Sequence, residues 1–354
     1  MRRNLSIVGG VYGIGLLIFL LARPLTQQEV TWIALLADFT PMYFIPALIL
    51  LALCVIARAK RGALLLMPVL IVGVLMFGGY YLPKPIPQAD DTLTVLTFNV
   101  LPENVLLDRV LAMIRRVNAD VLLLQEVPHD WLIDGVDALR DEYPHQFYQP
   151  ELSESELGAN MTLSRLPLES TEAFVLETAP DDVLPQHRVT IQTGGGMLAI
   201  YNVHFFLPLS DSGREGLEYD PQVGYLIANY DADPRDEQIA RMLERLRAEP
   251  LPFLFGGDLN MSDQAAVYGD MTAMMTDSWR EVGYGYGASW PGYPLVPPIP
   301  VLTPMVRLDY QFTRGDVLQP LEAGQTSEVL GSDHLPLWVR YAVRSTDRGS
   351  AEDS

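Results

Sequence analysis

The chain reads as an α/β body, in which packed sheets are covered by helices, behind an N-terminal head of about three transmembrane helices. Three observations predict this. Long apolar runs fill the chain up to Pro87. After Thr92, strand-like and helix-like segments alternate. Carboxylates, amides and imidazoles recur where the strand-like segments end.

The head accounts for much of the 49% hydrophobic content of the 354 residues. Its apolar stretches lie at 5–22, 32–57 and 63–82. About 20 mostly apolar residues span a bilayer, with about 17 as the lower limit. The middle stretch reaches that length only if it starts near Trp32, and it contains Asp38 and Pro41. An acid near the end of a span belongs at the interface more readily than inside. Arg2 and Arg3 precede the first span, and Arg58, Lys60 and Arg61 lie between the second and third. With three spans these basic groups share the cytoplasmic side and the body lies outside the cytoplasm; two spans would return it. A cleaved signal peptide is disfavoured, because further spans follow and no small-x-small site precedes Pro24. The lipid bilayer is thus one expected partner.

Residues 1–87 form the anchor and linker, 88–344 the body and 345–354 a disordered tail. Pro83-Lys-Pro-Ile-Pro87 is a stiff, extended exit. Charge divides at the same place. Up to Pro87 there are seven Lys/Arg and two acids, leaving 17 basic and 42 acidic residues in the rest. An acidic body without a single lysine is a poor fit to a polyanionic backbone. The one cysteine, Cys54, permits no intrachain disulfide.

Within the body, Leu93–Phe98 reads as a strand, Val105–Val117 as an amphipathic helix and Val121–Gln125 as a buried strand. Asn160–Ser164, Arg188–Gln192 and Met197–Val203 are further strands. Gly194-Gly-Gly196 fits a hairpin turn better than a phosphate loop, because no helix with Lys and Ser/Thr follows. Arg235–Ala248 is a helix with Ile239, Met242, Leu243 and Leu246 on one face. Pro252–Gly256, Val306–Phe312 and Leu335–Val343 complete the strands. Phe205–Pro234, with Phe205, Phe206, Tyr219, Tyr225 and Tyr230, fits a rim or lid over a site or a solvated loop. Trp279-Arg280 and Ser289-Trp-Pro291 read as loop packing.

The polar residues concentrate at strand ends. Asn99, Gln125-Glu126, His204, Asp258-Leu-Asn260, Asp309 and Asp333-His334 each follow or open an apolar segment. Any one of them alone fits a turn, a helix cap or a core histidine. Together they point to one site at a sheet edge. Ser332, Asp333 and His334 are contiguous and cannot face one another as a triad, and there is no G-x-S-x-G elbow. No His/Cys cluster has zinc spacing.

Phe98-Asn99, Gln125-Glu126, Asn202-Val-His204, Gly257-Asp-Leu-Asn260, Leu308-Asp-Tyr310 and Ser332-Asp-His334 resemble, in order, the signatures of the endonuclease/exonuclease/phosphatase superfamily. The resemblance covers about Thr92–Val343. It implies a four-layer α/β sandwich, two packed mixed sheets flanked by helices, and metal-dependent phosphoester hydrolysis by water.

The resemblance also implies roles. Glu126 is the principal Mg²⁺ ligand with Asn99 beside it, and Asp333 lies near the metal; Mn²⁺ is an alternative. Asp258 orients or deprotonates the water. Asn260 donates a hydrogen bond to the phosphoryl group, while His204 and His334 stabilise its charge. Asp309 fixes the tautomer of His334. The expected substrate is a phosphodiester or phosphomonoester, with a lipid headgroup or small molecule favoured over nucleic acid. An extracytoplasmic nuclease and a non-catalytic, membrane-tethered binding protein are the alternatives.

Overall fold

A computed structural model describes residues 1–26, 30–149, 159–179, 184–215, 223–292, 304–326, 328 and 330–344. The expected tail at 345–354 and Tyr219 of the expected rim lie outside the described residues. The head contains α1 (Arg2–Thr26), α2 (Thr31–Asp38), α3 (Phe44–Ile56) and α4 (Lys60–Phe77). The body runs β1 (Thr92–Asn99), α5 (Leu107–Val117), β2 (Val121–Val127), α6 (His129–Leu139), β3 (His145–Tyr148), β4 (Ala159–Ser164), β5 (Leu168–Phe174), β6 (Gln186–Thr193) and β7 (Gly196–His204). It continues through α7 (Asp211–Glu215), α8 (Val223–Ala228), α9 (Asp233–Ala248), β8 (Phe253–Asp258), α10 (Val267–Thr272), β9 (Thr276–Asp277), α11 (Ser278–Val282), β10 (Asp309–Arg314), β11 (Leu318–Gln325) and β12 (Leu337–Val343).

The strands form two six-stranded sheets, ordered β11-β12-β1-β2-β4-β3 and β5-β6-β7-β8-β10-β9. Among the described residues, only β1–β2 and β7–β8 pair in parallel. Both sheets are therefore mixed, and each has one parallel pair near its middle.

Strand alternation builds the layers. In β1, Val95 points between the sheets, where it meets Leu123, Ile200, Leu254 and Val339. Its neighbours Leu96 and Phe98 point outward beneath α5, with Val110, Met113 and Ile114. On the other sheet Tyr201, Phe253 and Phe255 face Ile239, Met242, Leu243 and Leu246 of α9. Helix, sheet, sheet and helix make the four layers, as the resemblance implied. The Gly194–Gly196 segment is the expected turn of the β6–β7 hairpin, with Thr193 paired to Gly196.

In the head, Arg2–Thr26 and Lys60–Tyr81 are each long and apolar enough to cross a membrane. Thr31–Asp38 and Thr40–Ile56 pass only as a pair bent by 70°, giving two or three candidate spans. The middle stretch is thus not one straight helix. Pro41 lacks an amide hydrogen, and the chain passes through a short 3₁₀ segment, Thr40–Tyr43, at the break. α1 and α4 pack closely: a Cβ on Gly13 would lie 2.6 Å from the Leu65 carbonyl oxygen. Arg2 Nε donates to the Ala57 carbonyl at 3.3 Å, which gathers the basic residues at one end of the bundle.

The other end of the bundle docks on the body. Lys84 Nζ donates to the Arg280 carbonyl at 2.5 Å, so the proline-rich linker lies against the body and is not a free spacer. Phe77 meets Tyr286 edge-on, and the Arg280 guanidinium sits 3.7 Å from the Tyr80 ring centre. Asp38 is buried in this junction, not solvated at an interface.

Candidate active site

Both parallel pairs end at the same edge. β1 finishes in Asn99, opposite Gln125 and one residue from Glu126 near the end of β2, and β7 and β8 finish in His204 and Asp258, which are register partners. β10 starts there, with Asp309 opposite Asp258. Parallel pairing aligns carboxyl ends, so distant motifs converge without long loops.

Local backbone geometry aims the side chains. The β2–β4 register shifts between Leu124 and Val127, and Glu126 in that bulge has φ +52°. A bulge re-aims one side chain out of the pleat, and a left-handed glutamate is costly enough to need support from its surroundings. Asn260 also has φ +46°, which asparagine tolerates better. Gly257 has φ +146°, and an added Cβ would lie 1.8 Å from the Val203 carbonyl oxygen. Only glycine lets β7 and β8 run this close just before Asp258.

The side chains form one network. Asn99 Nδ2 donates to Glu126 Oε1 at 2.8 Å and to Asp258 Oδ2 at 2.9 Å. Its Oδ1 accepts from the Leu101 amide at 3.2 Å. Asn99 therefore presents nitrogen to the two carboxylates and holds them together. His204 Nε2 lies 3.3 Å from Glu126 Oε1 and 3.8 Å from Asp258 Oδ2. Asn260 Nδ2 lies 3.4 Å from His204 Nε2 and donates to the Phe205 carbonyl at 2.9 Å. The Asn260 amide donates to Asp258 Oδ1 at 2.8 Å. His334 Nε2 lies 3.5 Å from Asp258 Oδ2, and its Nδ1 lies 2.8 Å from Asp309 Oδ2.

Burial decides the protonation states. It pushes the Glu126 carboxyl up to about 8, against the hydrogen bond from Asn99. Asp258 is raised for the same reason, despite the facing His334. His204 is lowered by burial, so its imidazole is neutral. Burial also pulls His334 down, but the Asp309 and Asp258 carboxylates outweigh it and hold it well above 6.5.

This donor set fits a hard divalent cation. Ligand atoms of Glu126, His204 and Asp258 lie within 4.8 Å of one another, and so do those of Asp258, Asp309 and His334. Buried carboxylates with raised pKa values lack positive charge, and a cation supplies it. Asp333 is outside both groups. Its Oδ2 accepts from Trp290 Nε1 at 2.8 Å, while its charge still acts on Glu126.

Several supporting residues escaped the sequence reading. Ser289 Oγ accepts from the Leu308 and Asp309 amides at 3.0 and 3.1 Å, and with Trp290 it belongs to the site's frame. Gln186 Oε1 accepts from the His204 amide at 2.7 Å, and its Nε2 donates to the His204 carbonyl at 3.0 Å. Gln125 Nε2 donates to Asn202 Oδ1 at 2.6 Å, tying the two sheets beneath the site. Both residues belong to the motifs Gln125-Glu126 and Asn202-Val-His204, but had no role of their own in the sequence. Of the aromatic residues expected in a rim, Phe205 is buried against Phe255, and Tyr230 points to the head.

Two mixed sheets in four layers, with acids, amides and imidazoles meeting at one edge, define an α/β sandwich with an acid–imidazole centre. The profile of the Endonuclease/Exonuclease/phosphatase family matches residues 96–334, more than half of the chain. The chain belongs to this family. Among solved structures, one similar fold is an endonuclease/exonuclease/phosphatase from Bacteroides vulgatus, with TM-score 0.55 and 16% identity over 72% of this chain and 99% of that one. Humanized D. rerio TDP2 gives TM-score 0.54 and 16% identity over 71% and 99%. A functionally unknown conserved protein from Enterococcus faecalis V583 gives 0.54 and 15% over 71% and 100%. Among curated proteins none matches this chain.

Proposed function

We propose that this protein is a membrane-anchored, divalent-metal-dependent phosphoric ester hydrolase that cleaves a phosphodiester or phosphomonoester by water attack. The observation that carries this is the convergence of Asn99, Glu126, His204, Asp258, Asn260, Asp309 and His334 in one hydrogen-bonded network. Glu126 would hold Mg²⁺ or Mn²⁺, with Asp258 in the same group of donors and Asp333 adding negative charge nearby. The ion offsets the negative charge of the phosphoryl group and of its leaving oxygen.

The chain's own groups do the rest. Asp258 accepts a proton from the attacking water and orients it. Its raised pKa makes it a better base than an exposed aspartate. Protonated His334 donates from Nε2 toward a non-bridging phosphoryl oxygen, while Asp309 holds Nδ1. Neutral His204 and Asn260 donate from the opposite side. Phosphoryl transfer needs positioning and charge stabilisation more than covalent chemistry, and this set supplies both.

The substrate we favour is a lipid headgroup or small phosphoester at the membrane surface. The head docks beside the catalytic edge, since only Met261 separates Asn260 from Ser262, which bonds the head. That is at most about 7 Å of chain. The acidic, lysine-free body argues in the same direction. Basic residues gathered at the far end of the bundle favour a body outside the cytoplasm.

The test is hydrolysis by the full chain, with Mg²⁺ or Mn²⁺, of phosphatidylinositol phosphates, sphingomyelin, bis(4-nitrophenyl) phosphate and DNA. Metal-dependent turnover that Glu126→Ala abolishes is expected. Preferential cleavage of DNA would replace the lipid or small-molecule reading with a nuclease. Wild type matching Glu126→Ala on every substrate would leave a tethered binding protein.

A further inference from the structure

The head is joined to the catalytic loop by a buried acid. Asp38 closes α2 and is 8% exposed, yet both of its oxygens accept from the body: Oδ1 from Ser262 Oγ at 2.5 Å and Oδ2 from Tyr230 Oη at 2.8 Å. Two positive charges face it: Arg235, wholly buried and paired with Asp236 at 2.6 Å, and Arg23. Arg235 Nη1 donates to the Asn260 carbonyl at 2.8 Å. Asn260 in turn orients toward His204 and anchors Asp258 Oδ1.

The same segment is gripped twice more. Arg23 Nη1, near the end of α1, donates to Gln264 Oε1 at 2.9 Å and to Thr40 Oγ1 at 2.8 Å. Asp263 pairs with Arg280, whose guanidinium lies under the Tyr80 ring just beyond α4. Ser262–Gln264, the continuation of the Asp258-Leu-Asn260 motif, is thus held directly from the ends of α1 and α2, and through Arg280 from just beyond α4.

An acid that only marked the membrane surface would leave oxygens to water. This one has both committed to the body, in a site where an unpaired charge would be strongly destabilising. We propose that Asp38 is a positioning residue: through Ser262 and Arg235 it holds the left-handed Asn260, and with it Asp258 and His204, in register. The anchor is then part of the catalytic scaffold as well as a tether. This rests on the hydrolase reading for its kinetic consequence, but not for its structural one.

The test uses the full chain in detergent with bis(4-nitrophenyl) phosphate and Mn²⁺. Displacement of a catalytic group by even 1 Å lowers rates by up to about 100-fold. Asp38→Ala should therefore lower kcat at least about tenfold with KM held, and Asp38→Asn, which keeps an acceptor of the same shape, should recover most of it. Mn²⁺ affinity should fall by less than kcat does, because Glu126, the principal ligand proposed, is outside this chain of contacts, although His204 and Asp258 share its group. Amide hydrogen exchange of residues 259–264 should speed up in Asp38→Ala, a readout that needs no turnover. If wild type hydrolyses nothing, the exchange result decides alone: faster exchange supports the linkage and unchanged exchange overturns it. Where Asp38→Ala does not fold, Ser262→Ala with Tyr230→Phe removes both bonds and leaves the charge facing Arg235. Wild-type kcat and wild-type exchange in these variants would overturn the proposal.

Discussion

His334 Nδ1 lies 2.8 Å from Asp309 Oδ2, and both side chains are buried at the edge where β8 and β10 pair. The pair raises the His334 pKa well above 6.5, because Asp309 and Asp258 outweigh burial. Asp309→Asn removes one of those charges. The imidazolium then gives up its proton at lower pH, so the alkaline limb of the kcat profile should move down in pH. A pH–rate profile of the two proteins checks this; an unmoved limb would detach His334 from the reaction.

Glu126 predicts how metal binding responds to pH. Burial raises its carboxyl to about 8 without a cation, so binding one displaces a proton near neutrality. Mn²⁺ affinity should fall as pH drops from 8 toward 6. Glu126→Gln cannot ionise, so it should bind weakly with little pH dependence and lose activity by more than the 10–100-fold typical of outer-sphere changes. Calorimetric titration across that pH range measures both.

His187 should make the protein acid-sensitive. Burial lowers its pKa to about 3, and its ring is held between Thr162 and Gln149. A histidine with a lowered folded pKa contributes stability that is fully present above the unfolded value near 6.5. That stability is lost as pH falls toward 3, because the unfolded chain takes up the proton first. Melting temperature should drop between pH 6.5 and 4, and His187→Gln should flatten that slope.

Ser289→Ala tests the frame of the site. The hydroxyl is fully buried and accepts from two backbone amides. Leaving them unpaired costs about 1–3 kcal/mol. A lower melting temperature is expected, together with reduced kcat, since the Asp309 amide is one of the two. An unchanged melting temperature would mean that another acceptor replaces the hydroxyl.

The orientation of the head is testable with single cysteines. Cys54 is buried, so Cys54→Ala gives a silent background. Val105→Cys, on a residue 88% exposed in the body, should react with an impermeant maleimide on intact cells. Arg3→Cys, at the basic end of the bundle, should react only after lysis. The reverse pattern would place the body in the cytoplasm.

Much of the candidate site could be read in the sequence because its residues end or begin apolar strands. Strand periodicity marks where such a segment stops, and the residue type at the stop carries the chemistry. Ser289 and Trp290 escaped for the opposite reason. They sit in a loop without periodicity, and their partners Asp309 and Asp333 are 20 and 43 residues away. The same limit hid β3, β5 and α6, and it allowed Phe205 and Tyr230 to pass as a rim. Aromatic residues in a loop carry no sign of which way they turn.

The sequence by itself determined the apolar head, the α/β body and the order of the acids, amides and imidazoles, because these follow from local hydrophobic pattern and residue chemistry. Only the tertiary structure decided that Asn99 turns its nitrogen to Glu126 and Asp258, that the middle apolar stretch bends, and that Asp38 reaches Ser262 across 224 residues. Each of these depends on which groups meet after packing, and a buried polar atom takes whichever partner the fold brings to it.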